Sequence, residues 1–199
     1  QRSYRKLLVA PVTLRDGLAA LIRREIALHQ QHGNGHLIFK CNALIDPSMI
    51  DLLYEASQSG VQVTLIIRGM CCLRAGVPNL SENIRVRSII GPFLEHHRIY
   101  YFHNNGQEEI YMGSADLMER NLDRRVEVVF PLQDPMLLRF VRDVMLDRYI
   151  HDNYRARELQ PDGENLRLYP ASPAERIDSQ VIEMGAHNLP INPAGNVTY

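Results

Sequence analysis

Three apolar runs divide the first third of the chain at regular spacing. They occupy residues 6–12, 36–42 and 61–67, and each has the length and composition of a buried strand. The stretches between them are long enough to hold one helix each. A strand, a helix and a strand in this order predict parallel neighbouring strands joined by a right-handed crossover. The first third is therefore predicted to be α/β.

The two intervening helices carry end signals. Thr13 and Asp16 have the spacing of a capping box, which predicts the start of a first helix that stops near Gly33. Asp46 as N-cap, with a proline directly after it, predicts a second helix that ends at Gly60.

After residue 67 the pattern changes to short apolar runs without helices between them. We predict strands at residues 84–90, 98–103, 109–113 and 125–132, with a hairpin turn at residues 104–106. Short strands that follow a βαβ unit predict a mixed β-sheet.

A last amphipathic helix, from Asp134 to about Asp152, is predicted to cover one face of this sheet. Beyond it the chain is polar and rich in proline, with a turn at residues 162–163, and we assign it no chemistry. The predicted organisation is a domain at residues 1–153 and a C-terminal extension or tail at residues 154–199.

Composition limits the classes of function. With 199 residues, of which 45% are hydrophobic, the chain can bury one normal core. It has no run near the roughly 18 apolar residues that span a bilayer and no signal-peptide pattern, so we predict a cytoplasmic location. The three cysteines fit neither a disulfide framework nor a C-x-x-C zinc site. Since the net charge is −1, a polyanionic ligand must be met by locally placed arginines.

Functional groups are expected on loops that follow the strands, because the sheet holds those loops still. Arg68 ends the buried run at 61–67, where a charge is costly unless it meets an anion or a carboxylate. A ligand role and a structural ion pair are equally consistent with this position. The long irregular segment at residues 70–83 follows directly.

A second candidate combines His96-x-Arg98 with Gly113-Ser114-x-Asp116. An imidazole, a guanidinium and a hydroxyl beside glycine suit phosphoryl chemistry. The combination resembles a degenerate phospholipase D motif, in which lysine and asparagine stand in place of Arg98 and Asp116, and these two substitutions count against a working phosphodiesterase. A single loop histidine is also often just a surface residue, so spacing alone leaves both interpretations open for His96.

Other conspicuous residues have plainer interpretations. Arg85 and Arg87 alternate along a predicted strand and should form its solvent face. Cys71 and Cys72 are expected to be small buried hydrophobic residues. Glu82 and Glu95 could orient neighbouring cations, but nothing favours them as a general acid/base pair.

Longer strings of sequence resemble the C-terminal domain of bacterial polyphosphate kinase, the type that works through a phosphohistidine. The similarity runs from about Lys6 to Asp152. Its most distinctive segments are residues 65–74, 76–78, 80–84, 93–96 and 120–127. The resemblance implies a phospholipase D-like fold, a mixed β-sheet flanked by α-helices, and reversible transfer of the terminal phosphate of ATP to polyphosphate.

The resemblance also implies roles for single residues. His96 matches a second catalytic histidine that contacts nucleotide, and Arg68 matches an arginine of the same ATP site. We therefore predict that Arg68 and His96 converge on one phosphate-sized pocket at the edge of the sheet. Loop position adds four secondary candidates for ATP or phosphate binding: Arg98, Ser114, Arg120 and Arg124. The phosphorylated histidine and the residues tied to Mg²⁺ belong to a preceding domain of the family, so no metal ligand is assigned here.

The implied ligands are ATP or ADP with Mg²⁺ and inorganic polyphosphate, and the implied protein partners are the preceding domains and further copies in a homo-oligomer. Nucleic acid is not expected, and peripheral membrane association is known in the family. We expect the isolated segment to be inactive without the phosphorylated histidine. Two alternatives stay open: a phospholipase D-like phosphodiesterase that pairs two His-x-Arg motifs across a dimer, and a polyphosphate- or nucleotide-binding module without chemistry.

Overall fold

The computed structural model describes residues 4–186, which form one nine-stranded mixed sheet with helices on its faces. The sheet order is β1-β7-β6-β5-β2-β3-β4-β8-β9. The strands are β1 (Leu8–Ala10), β2 (His36–Cys41), β3 (Gln62–Ile67), β4 (Ile84–Ile89), β5 (Ile99–Phe102), β6 (Glu109–Gly113), β7 (Glu127–Pro131), β8 (Ala156–Leu159) and β9 (Asn165–Arg167).

Two long helices follow β1 and β2. Helix α1 (Leu14–His32) ends at Gly33, whose left-handed backbone (φ 70°) closes the helix as glycine readily does. Helix α2 (Pro47–Gln58) begins at Asp46, whose carboxylate accepts a hydrogen bond from the Met49 amide.

A third helical stretch packs against the other face of the sheet. It is continuous from α3 (Pro135–Phe140) through a π-helical turn (Val141–Leu146) to α4 (Asp147–His151). The helix α5 (Ser179–Ala186) ends the described chain.

Strand direction defines one functional edge of the sheet. Strands β2, β3 and β4 are parallel, and the remaining neighbours are antiparallel. Consequently β1, β2, β3, β4, β6 and β9 end at the same edge where β5, β7 and β8 begin. We call this the C-terminal edge.

Alternation along the central strands sends side chains into two separate cores. Leu37 and Phe39 of β2 belong to the larger core, which packs against α1 and α2. Ile38 of β2 and Ile66 of β3 belong to the second core, which includes Tyr149 of α4. The central strands are thus buried on both faces, as parallel strands usually are.

The structure confirms the predicted mixed sheet flanked by helices, with every predicted strand present within two or three residues of its predicted bounds. The capping box at Thr13 is wrong, because the Thr13 hydroxyl accepts a hydrogen bond from the Val9 amide (3.0 Å) instead of capping α1. After residue 153, where the sequence predicts only a turn at residues 162–163, β8 and β9 extend the sheet beyond β4. The division after residue 153 stays a prediction about domains.

Two side-chain predictions are also corrected. Arg87 is half-buried, because it pairs with Glu158 (3.3 Å) and donates to the Ile150 carbonyl, while Arg85 is exposed as expected. Cys71 is half-buried, but Cys72 is exposed, because it lies in the loop beyond the strand. No helix within residues 4–186 is long and apolar enough to cross a bilayer.

Candidate functional site

The loops at the C-terminal edge are tied to one another by backbone contacts. Leu44, after β2, forms parallel bridges with Cys71 after β3 and with Leu117 after β6. The amides of Ile45 and Asp46 donate to the Leu117 carbonyl at 3.0 Å. The three loops therefore act as one supported surface, and the candidate residues lie on or beside it.

Arg68 follows β3 directly and lines a cavity of about 550 Å³. Its Nη1 atom is buried, and it has no hydrogen-bond partner among the described residues. A buried guanidinium nitrogen without an acceptor is unfavourable, and an anion that reached it from the adjoining cavity would satisfy it. Of the two interpretations of Arg68, the geometry favours a ligand over a structural ion pair.

Four arginines line this cavity, and no aspartate or glutamate of the described residues does. The lining is Ile67, Arg68, Gly69, Cys71, Val86, Ser88, Ile90, Arg155, Arg157, Leu159, Asn165 and Arg167. Of the four, only Arg68 is predicted from the sequence. Arg155 lies directly before β8, Arg157 on β8 and Arg167 on β9, and the alternating pattern Arg-Ala-Arg at residues 155–157 is the sequence signal of a strand face.

His96 lies on the loop between β4 and β5, where its side chain is exposed. Arg98 holds this segment: its Nη1 donates to the His96 carbonyl (2.7 Å) and lies 3.5 Å from the ring Nδ1. The same guanidinium binds both carboxylate oxygens of Asp116, at 3.3 and 2.9 Å. Asp116 in turn accepts from the Asn42 amide (2.7 Å). The His-x-Arg and Gly-Ser-x-Asp motifs are therefore joined by a bidentate ion pair that fixes the backbone at His96.

A buried ion pair between Lys40 and Glu95 anchors the same loop, and it was not predicted from the sequence. Lys40 of β2 is 4% exposed, and its ammonium lies 2.7 Å from the Glu95 carboxylate and 4.2 Å from the centre of the Tyr149 ring. Burial lowers the pKa of Lys40, the carboxylate of Glu95 opposes this shift, and the charge of Arg68 adds to it. Burial also raises the pKa of Tyr149, and the charge of Glu95 raises it further. Glu95 does orient a cation, as expected, but the cation is buried.

Helix α5 also holds this loop, through hydrogen bonds to the Phe93 backbone. The amide of Gln180, which is buried, accepts from the Phe93 N–H (3.2 Å) and donates to the Phe93 carbonyl (3.0 Å). The buried Asp152 carboxylate binds the backbone amides of Tyr154, Arg155 and Ala156, as well as the amide and hydroxyl of Ser179. Residues after 153 thus support the loop that carries His96.

The other secondary candidates are placed differently. The Ser114 hydroxyl donates to the Glu127 carboxylate and accepts from the Val128 amide (3.2 Å). Arg120 and Arg124 begin and end a π-helical turn (Arg120–Arg124) on the surface. The Arg124 guanidinium pairs with the exposed Glu119 at 2.6 Å.

Arg15 of α1 connects this π-helical turn with the start of α2. Its guanidinium lies 2.6 Å from Asp46 and 2.5 Å from Asp123. Burial alone would raise the pKa of Asp46, but hydrogen bonds from Arg15, Ser48 and the Met49 amide lower it to about 2. This clamp stabilises the C-terminal edge next to Ala43 and Leu44.

The structure brings Arg68 and His96 to the same edge, since β3 ends and β5 begins there. Lys40 of β2 pairs with Ile66 of β3 on one side and with Ile99 of β5 on the other. Ile66 is two residues before Arg68 and Ile99 is three residues after His96, so β2 separates the two strands that lead to these side chains. His96 does not line the Arg68 cavity, and their convergence on one phosphate stays a prediction.

The described residues contain no group of three or more histidine, cysteine, aspartate or glutamate side chains that could hold a metal ion. The donor set of this segment therefore does not fit a Mg²⁺ site of its own.

Comparisons with known proteins give a consistent result. The sequence profile of the family described as polyphosphate kinase C-terminal domain 2 matches residues 7–180. The polyphosphate kinase of Synechocystis sp. is 53% identical over 182 residues, covering 92% of this chain and 25% of that protein. The crystal structure of the polyphosphate kinase from Porphyromonas gingivalis superposes with a TM-score of 0.85 and 37% identity, covering 90% of this chain and 27% of that one.

A more distant likeness concerns the fold alone. Nuc from Salmonella typhimurium, a phospholipase D family member, superposes with a TM-score of 0.54 at 14% identity, covering 78% of this chain and 97% of that one. The fold is therefore phospholipase D-like, as predicted. The chain spans about a quarter of the length of the curated relatives that it matches.

Proposed function

The chain belongs to the polyphosphate kinase C-terminal domain 2 family, and from this premise we propose that it supplies the ATP- and phosphate-binding half of a site for reversible phosphate transfer from ATP to polyphosphate. One observation carries the proposal: Arg68, whose buried Nη1 has no acceptor among the described residues, lines an arginine-rich cavity at the edge that also carries His96. Arg68 is the group that binds phosphate oxygens.

In this proposal the terminal P–O bond of ATP breaks as a P–N bond forms to a histidine outside this chain, and ADP leaves. The P–N bond then breaks as the terminal oxygen of the polyphosphate chain takes the phosphate, which lengthens the chain by one unit and regenerates the histidine. Phosphoryl transfer depends mainly on positioning and charge neutralisation. Arg68 neutralises the oxygens of the phosphate in transfer, and His96 exchanges a proton with the reacting groups or stabilises their charge.

The four secondary candidates have graded support. Arg98 acts through its bonds to the His96 carbonyl and Asp116, and we propose that it positions the histidine. Ser114 is engaged by Glu127, and Arg120 and Arg124 lie on a surface turn, so their proposed contact with phosphate depends on a partner surface.

The wider setting is part of the same proposal. Mg²⁺ would be held by residues of the preceding domain. ATP or ADP and polyphosphate are the proposed ligands, and the preceding domains and further copies of the chain are the proposed partners. We further propose a cytoplasmic location with optional peripheral attachment to the membrane.

The test is polyphosphate synthesis from ATP by the full-length protein. Arg68→Ala is expected to lower turnover about 10³-fold, because it removes a charge from the phosphate in transfer. His96→Ala should lower turnover by about 10²-fold or more. The matched controls are Arg23→Ala and His32→Ala, which alter exposed residues of α1 and should leave turnover unchanged. Full turnover in Arg68→Ala with its fold intact would contradict the proposal, and cleavage of a chromogenic phosphodiester by the parent would favour the phosphodiesterase alternative.

A further inference from the structure

The cavity beside Arg68 has a floor built from alternate residues of three adjacent strands. Successive side chains of a strand point to opposite faces, so every second residue shares one face. The residues that face the cavity follow this rule: Val86, Ser88 and Ile90 from β4 and its end, Arg155, Arg157 and Leu159 from β8 and its start, and Asn165 and Arg167 from β9. The floor is therefore a regular surface that extends from β4 to the edge of the sheet.

Two arginines stand directly opposite each other on this floor. Arg157 of β8 and Arg167 of β9 are register partners, and Arg157 is also the partner of Ser88 on β4. Like charges at directly opposed positions of an antiparallel pair repel each other. The Arg157 side chain forms no ion pair or hydrogen bond within the described range, and Arg167 contacts only the Tyr154 carbonyl (3.4 Å) and two tyrosine rings.

The remaining arginines do not cancel this positive charge. Arg155 binds Asp178 at 2.7 Å, but Asp178 also binds Arg176 at 2.9 Å, so one carboxylate faces two guanidinium groups. Arg68 at the other end of the cavity keeps its buried Nη1 without an acceptor. No aspartate or glutamate of the described residues lines the cavity, so its positive charge is only partly compensated, by Asp178.

The spacing and the lining together select the ligand class. Neighbouring strands lie about 4.8 Å apart, so the row from Ser88 through Arg157 to Arg167 extends about 10 Å across the sheet. This suits an extended anion with several negative groups in sequence. The lining has no aromatic side chain for stacking bases, which is the usual means of holding single-stranded nucleic acid. A phosphate chain without bases fits these features.

We propose that Arg157 and Arg167, together with Arg68, form a subsite that holds several consecutive phosphates of an inorganic polyphosphate chain as it leaves or approaches the reacting end. This inference rests on the proposed function for its biological setting. It assigns a binding role to β8 and β9, which the sequence analysis left without chemistry. Arg68 links the subsite to the site of transfer.

The experiment measures binding of long-chain inorganic polyphosphate to the full-length protein, both as a dissociation constant and as the rise in melting temperature. We compare the parent with Arg157→Ala, Arg167→Ala and the double variant, and use Arg23→Ala as an exposed control outside the cavity. Each single change should weaken binding about three- to tenfold. The double variant should also lower the salt dependence by about two released counterions, by analogy with nucleic-acid binding.

Stability without ligand separates this role from a structural one. Because the two arginines repel each other, the variants should melt at the same temperature as the parent or higher when no ligand is present. With polyphosphate, the parent should gain stability and the double variant should gain much less. An unchanged dissociation constant in the double variant would overturn the subsite. So would an equal loss of binding for a single-stranded oligonucleotide, which would identify a general polyanion surface.

The outcome can be told apart from failure of the proposed function. His96→Ala should keep polyphosphate binding while losing synthesis, and the double arginine variant should raise the KM for polyphosphate while the KM for ATP stays unchanged. If the parent synthesises no polyphosphate, and the double arginine variant nevertheless binds polyphosphate more weakly than the parent, the subsite is supported and the proposed transfer is refuted. Normal synthesis with an unchanged KM for polyphosphate would refute the subsite and leave the transfer standing.

Discussion

Replacing Lys40 by methionine should destabilise the protein far more than an ordinary lysine substitution. Lys40→Met keeps the apolar stem but removes the charge that faces Glu95, and the two side chains are only 5% and 11% exposed. Removing one partner of a buried ion pair leaves the other charge uncompensated, at a cost of about 3–5 kcal/mol. The lost contact with the Tyr149 ring adds to this effect.

A double-mutant cycle separates the pair from the packing. Glu95→Gln alone should also destabilise the chain, because it leaves the ammonium of Lys40 buried without its carboxylate. Lys40→Met with Glu95→Gln removes both charges, so we expect the double variant to lose at least 2 kcal/mol less than the sum of the single variants. The assay is urea unfolding followed by circular dichroism.

The chain supplies its own control, because its other lysine, Lys6, is exposed and, among the described residues, forms a side-chain hydrogen bond only with Gln133. Lys6→Met should change the free energy of unfolding by less than about 0.5 kcal/mol. Additive effects of Lys40→Met and Glu95→Gln, within about 0.5 kcal/mol, would refute the argument that this pair anchors the loop carrying His96.

Three further predictions follow from other contacts. Asp46→Asn should lower the free energy of unfolding by about 2 kcal/mol at neutral pH, because the folded pKa of Asp46, about 2, lies below the ordinary value. This stabilisation is present above about pH 4 and is lost as the pH falls through about 2. Acid unfolding curves of the parent and the variant measure it. Gly113→Ala should cost about 1–3 kcal/mol or more in thermal unfolding, because a Cβ there would lie 2.1 Å from the Val128 carbonyl oxygen. Gln180→Ala should speed hydrogen exchange at residues 91–98 and lower the turnover of polyphosphate synthesis, because the Phe93 backbone loses both partners.

Each of these predictions has a matched control. Asp51→Asn alters an exposed aspartate of α2 and should leave the acid limb unchanged. Gly185→Ala, where a Cβ meets no atom within 4 Å, should be neutral or slightly stabilising. Gln107→Ala changes an exposed glutamine and should not alter exchange at residues 91–98. If a control variant changes the measured property as much as the variant it is matched to, the contact named for that variant is not the cause of the effect.

Much of the fold could be predicted, because local patterns carry it. Apolar runs with capping residues such as Asp46 are short-range signals, and the direction of the strands then places the loops at one edge. This is why Arg68 and His96 could both be assigned to the same edge from sequence. The resemblance to a family added their roles, which spacing alone had left open.

The missed features depend on partners that are distant in the sequence. Lys40 sits in an apolar run, and its burial is acceptable only because Glu95, 55 residues later, meets its charge. Strands β8 and β9 have four and three residues, and they are stabilised by pairing, β8 with β4 and β9 with β8, rather than by their own propensity. Thr13 had the right residue type for a cap, but the turn after β1 uses its hydroxyl instead.

The most direct test of the account is whether Arg68 and His96 act in one site. We would measure kcat/KM for polyphosphate synthesis by the full-length protein with Arg68→Ala, His96→Ala and the double variant. If both side chains act on the same phosphate, the double variant should lose little more than the more damaging single variant. Losses that multiply would contradict the account, because they would mean that the two residues contribute independently.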